Sequence, residues 1–198
     1  MEKSAFQKNL ITWSALATIL AGVIHLVIIP EHWAHAPAHG LFFLLVGILQ
    51  IGWGIAVWRK PSTDLYYVGV VMAGWLIVLY ALTRLFPAPF GHGPEAIAVI
   101  DIACKLCEGL GMVTLAILIF QGLLLNNGRR KAWRAMGLIV LLSFVTAFTT
   151  YSAAIAAEPL LPSLSGQAEE NHHNEGATET EDHPHDESTP TPEHDDGH

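Results

Sequence analysis

The chain has 198 residues, of which 52% are hydrophobic and 14% charged. A soluble domain carries about a quarter charged residues, so this composition excludes an ordinary water-soluble globule and points to a bilayer. The formal charge of −8 hides two materials: from Glu158 onward there are twelve Asp or Glu and no Lys or Arg, whereas the preceding part has ten Lys or Arg against six acids.

Five apolar runs follow in order, roughly residues 10–29, 38–58, 65–86, 95–125 and 133–156. Each is near or above the ~20 residues that a spanning helix needs. The first follows MEKSAFQKN. It is longer than a signal-peptide core and no small-x-small cleavage site follows it, so it reads as an anchor. The expected architecture is all-α: a five-span integral membrane bundle over residues 1–157, with a separate tail over 158–198.

Orientation is read from the cations. Lys3 and Lys8 precede the first span, Arg59 and Lys60 join the second to the third, and Arg129, Arg130, Lys131 and Arg134 join the fourth to the fifth. The connectors around 30–38 and 87–94 have none. The N-terminus is therefore expected in the cytoplasm and the C-terminus outside, in the cell membrane of a bacterium. The tail has no aromatic residue beyond 165 and little that could be buried, so it is expected to be disordered.

With that topology the histidines fall on one side. His25 lies near the outer end of the first span, His32 and His35 in the first outer connector, His39 in the first turn of the second span, and His92 in the second outer connector. The other six, from His172 to His198, belong to the tail. Imidazole is the commonest ligand for zinc, copper and nickel, and carboxylates complete such sites. Glu31 and Glu95 stand at the same level, so His25, Glu31, His32, His35, His39, His92 and Glu95 are the candidate metal ligands. None of the four methionines lies near them, which argues against a Met-rich Cu(I) relay.

The fourth run carries charges inside a span. Asp101, Lys105 and Glu108 are four and three residues apart and share one helix face, with Cys104 beside them. An ionisable residue in hydrocarbon is a functional candidate by default. Together with Arg84 near the end of the third span, these residues form a candidate polar path, with Asp101 expected at the depth of His25 and Glu108 near the bilayer middle. Cys104 and Cys107 match CxxC, but inside a helix that is neither a zinc knuckle nor a redox motif. Both read as small filler, with Cys104 also placed to offer a soft ligand.

His25 with Pro30-Glu31-His32, Leu41-Phe42-Phe43…Gln50, Thr83-Arg84, Pro89-Phe90-Gly91 and Glu95…Asp101…Glu108 resemble motifs of a group of small multi-pass bacterial membrane proteins of unknown function. The likeness covers roughly residues 10–125 and implies a transmembrane bundle. It implies no activity or ligand role.

Three readings stand. The first is a membrane protein that binds a divalent transition metal, zinc, copper or nickel, from outside, with transport as its extension and a second copy or partner subunit to complete it. The second is a redox protein, with His25 at a haem b or quinone. The third is a non-catalytic accessory subunit of a larger membrane complex. No nucleophile–base set suggests a hydrolytic enzyme, and no basic-aromatic surface suggests nucleic acid.

Overall fold

The structure, a computed structural model, describes residues 4–91, 96–127 and 129–165. Six α-helices account for nearly all of it: α1 (Ala5–Val27), α2 (Ile29–His35), α3 (Pro37–Arg59), α4 (Thr63–Leu85), α5 (Val99–Asn127) and α6 (Arg129–Ala157). No strand occurs among the described residues. All but α2 are long and apolar enough to cross a membrane, so the chain is a multi-pass membrane protein. The acidic part of the tail lies outside the described residues, as do His92 and Glu95.

Local chemistry sets the helix ends. The Ser4 hydroxyl accepts from the Gln7 amide and the Ser62 hydroxyl from the Leu65 amide, both at 3.3 Å. Each satisfies a backbone donor that a helix start leaves open. A residue before proline is driven out of the helical region. Ala36, before Pro37, is accordingly extended, and that corner separates α2 from α3. Phe86, before Pro87, ends α4 in the same way. The connector expected around residues 30–38 is thus mostly the short helix α2.

The helices do not pack in chain order. α1 lies between α3 and α5, and α4 lies between α5 and α6, whereas the consecutive pair α3 and α4 meets at only a few residues. The lateral order is therefore α3–α1–α5–α4–α6. The α1–α3 crossing is antiparallel and very close. A Cβ on Gly22 would stand 2.8 Å from the Gly47 carbonyl oxygen, and one on Gly47 2.9 Å from the Gly22 carbonyl oxygen. Without side chains there, the two backbones touch, as small-residue crossings in membranes allow.

The apolar core sits toward the end where α1 and α4 begin. It includes Ile11, Val57, Val70, Leu115, Ile119 and Ile139. Toward the other end, near α2, the interior turns polar.

Candidate metal centre

Three helices converge on one carboxylate. His25 lies three residues beyond Gly22 on α1, and Gln50 three residues beyond Gly47 on α3, so the glycine crossing brings both side chains to α5. Glu108 Oε1 accepts from His25 Nε2 and from Gln50 Nε2, each at 3.1 Å. Glu108 Oε2 accepts from Lys105 Nζ at 2.6 Å. His25, Gln50 and Glu108 are exposed by only 3%, 1% and 2%. A carboxylate this deep persists only with a cation and donors around it, and all of these are present.

Cys104 joins the same point. It lies four residues before Glu108 on α5 and is buried. Its Sγ is 3.5 Å from His25 Nε2 and 3.8 Å from Glu108 Oε1. With the 3.1 Å between His25 and Glu108, these sides form a triangle whose circumscribed radius is about 2.0 Å. Zinc keeps about 2.0–2.2 Å from nitrogen or oxygen and about 2.3 Å from sulfur. An ion slightly out of the triangle's plane meets all three distances without backbone movement. Among the described residues, this is the one group of three or more His, Cys, Asp or Glu whose ligand atoms lie within 4.8 Å of one another. Gln50 Oε1 has no hydrogen-bond partner. Turning the amide over would present that oxygen as a fourth donor.

Asp101 sits elsewhere. The sequence spacing placed it at the depth of His25 and within reach of Lys105. In the structure its Oδ2 accepts from Arg84 Nη2 at 2.7 Å and from the Ala98 amide at 3.2 Å. The cause is where α5 begins: Val99 rather than Glu95. Four residues fewer of helix raise every α5 position by about 6 Å toward that end. Asp101 becomes a first-turn residue, and Glu108 rises to meet His25. The Arg84 guanidinium also lies over the Tyr80 ring at 4.4 Å, with Lys105 Nζ at 5.3 Å from the same ring.

The connector histidines are not drawn into this centre. His32 Nδ1 donates to the Ile28 carbonyl and His35 Nδ1 to the Glu31 carbonyl, both at 3.0 Å, one turn back along α2. His39 Nε2 donates to the Pro89 carbonyl at 2.7 Å. Glu31 and His35 are exposed. With His32, His39, Arg84 and Asp101 they line a wide depression of about 620 Å³. A second cavity of about 260 Å³ lies deeper and reaches His25, Cys104 and Lys105. His39, Arg84 and Asp101 border both spaces, so the Arg84–Asp101 pair stands between them.

Gln50 and Phe43 also belong to this region, although neither is a metal-ligand type that spacing in the sequence would select. Phe43 stacks on the His25 ring at 5.3 Å and meets the His32 ring edge-on at 4.4 Å. A lone amide in the apolar second run is a visible signal for Gln50, and Phe43 stands with it in the Leu41-Phe42-Phe43…Gln50 motif, but nothing in the sequence marks either as facing His25. No family model, curated protein or solved structure matches the chain. The likeness to small bacterial membrane proteins therefore has no counterpart in these comparisons.

Proposed function

We propose that this protein holds a transition metal ion inside the membrane at His25, Cys104 and Glu108, loaded from the extracytoplasmic side. The observation that carries the reading is the near-ligand triangle of one imidazole nitrogen, one thiol and one carboxylate oxygen. Such a mixed donor set suits zinc first and copper second. An ion would displace the Cys104 thiol proton and the proton that His25 shares with Glu108, so uptake releases protons. Lys105 would keep its contact with the outer carboxylate oxygen and hold the ligand in place.

The orientation belongs to the same proposal. Lys8, Arg59, Lys60, Arg130 and Arg134 flank the spans at the end opposite α2, and cytoplasmic loops are the ones rich in Lys and Arg. The wide depression then opens outward. Its histidines and Glu31 attract cations loosely, the Arg84–Asp101 pair guards the way in, and the triangle holds the ion. The apolar core around Leu115 and Val57 closes the far side. The site is therefore one for holding and releasing an ion on the outer side, and passage through the bundle needs a second conformation.

Cobalt(II) tests this in the full-length protein. Cys104 and Cys107 are the chain's two thiols, so the histidines of the tail cannot imitate a sulfur ligand. A sulfur-to-cobalt charge-transfer band is expected on titration, absent in Cys104→Ala and retained in Cys107→Ala. No band in the native protein would reduce the triangle to an interhelical hydrogen-bond lock.

A further inference from the structure

The deeper cavity presents a second recognition problem beside the metal centre. Its walls are aromatic, with Phe42 and Phe43 from α3, Tyr80 from α4 and Phe90 from the following turn. Phe90 is held there at some cost. It occupies the third position of a turn closed by the Gly91 amide on the Ala88 carbonyl, with φ of 60°, a region that a bulky residue rarely adopts. Despite that backbone it is buried and roofs the cavity.

Two polar groups in this apolar space have unused capacity. His25 lines the cavity, is 3% exposed, and its Nδ1 has no partner. The Tyr80 hydroxyl makes no hydrogen bond among the described residues. Two hydroxyls on the wall are already bonded: Tyr151 donates to the Pro87 carbonyl at 2.7 Å, and Thr150 accepts from Trp75 and donates to the Thr146 carbonyl. Pockets for drug-sized molecules run to about 300–1,000 Å³. At about 260 Å³ this one holds a single ring and has no room for a macrocycle.

We infer that the cavity binds the head group of a quinone-class lipid: one flat six-membered ring carrying carbonyl or hydroxyl oxygens, with its apolar tail along the open α3–α4 seam. Flat rings gain by stacking on Phe and Tyr faces. A ring oxygen reaches the partner that His25 Nδ1 lacks, accepting as a carbonyl or donating as a hydroxyl according to the tautomer. The seam is available because α3 and α4 meet at few residues while both border the cavity. This inference goes beyond the metal reading and stands without it, since it uses the opposite ring nitrogen of His25.

The test uses the full chain in lipid nanodiscs, washed with chelator, and decylbenzoquinone as probe. Trp75 lies 6.1 Å from the Phe42 ring and reports by fluorescence quenching; Trp75→Phe identifies its share of the signal. Saturable quenching is expected, and decylbenzene, which has the ring and tail but no oxygens and does not quench, should compete at least tenfold more weakly than the probe binds. Ala154→Phe, which projects a ring into the cavity from α6, is expected to weaken the probe about tenfold, roughly 1.4 kcal/mol, while leaving the cobalt band intact. Equal affinity for decylbenzene, or an unchanged Ala154→Phe that still folds, would overturn the inference. Quenching without any cobalt band would instead reject the metal reading and leave this one standing.

Discussion

Replacing Glu108 by Leu should be among the most damaging single changes in the bundle. It leaves the Lys105 ammonium, 18% exposed in its side chain, without the carboxylate 2.6 Å away. Removing one partner of a buried ion pair costs about 3–5 kcal/mol, because the other charge stays buried. His25 Nε2 and Gln50 Nε2 also lose their acceptor, and interhelical hydrogen bonds in membranes average about 0.6 kcal/mol each. The expected loss for Glu108→Leu is therefore about 4–6 kcal/mol. Adding Lys105→Met removes the stranded charge, so the double variant should fall only about 1–2 kcal/mol below the native protein. The recovery of about 3–4 kcal/mol on adding Lys105→Met measures the stranded charge apart from the lost hydrogen bonds. The assay is unfolding from mixed micelles by added dodecyl sulfate, followed by helicity. A loss under about 1 kcal/mol for Glu108→Leu alone would mean that Lys105 reaches water. The account of a dry, paired carboxylate would then be wrong.

Two further outcomes follow from the packing. Gly47→Ala should cost about 1–3 kcal/mol by forcing α1 and α3 apart, and should weaken cobalt binding through displaced His25. Gly52→Ala, where a Cβ meets nothing within 4 Å, is the control; equal effects at both positions would remove the close crossing from the explanation. Asp101→Leu takes from the Arg84 guanidinium, 10% exposed, the carboxylate at 2.7 Å, and should lower stability by about 3 kcal/mol, with recovery when Arg84→Met is added. A single variant within about 0.5 kcal/mol of native would place that pair in solvent.

The spans were legible because each fills a twenty-residue apolar window, a signal that survives ignorance of every contact. The short helix α2 was not, since seven residues of mixed polarity carry no period, and only the Pro37 corner sets it apart. The α5 stripe was legible from spacing, which put Cys104, Lys105 and Glu108 on one face. Its partners were not. Whether Asp101 meets Lys105 or Arg84 depends on a helix start four residues later than the apolar run implied. Whether Gln50 matters depends on α3 lying beside α1 rather than α4, and lateral order is written in glycine contacts that no single run contains. The connector histidines showed their side of the bundle in the sequence. His32 and His35 turn a ring nitrogen to a carbonyl one turn back on α2, whereas His39 reaches the Pro89 carbonyl across the fold, a pairing the sequence does not reveal.

The lateral order α3–α1–α5–α4–α6 also bears on how the protein is made. Spans leave the ribosome in numerical order, so α1 and α3 can close their glycine crossing at once, while α4 arrives beside neither of its eventual flanks. His25 and Gln50 then wait in the lipid with unanswered polar nitrogens until the fourth span is translated. That span brings Glu108 already neutralised by Lys105, one turn away on the same helix. It can therefore enter the bilayer without a bare charge and slide between α1 and α4. The polar centre thus forms only once α5 has been made, and a nascent chain halted before α5 would expose its histidine and amide to quality control.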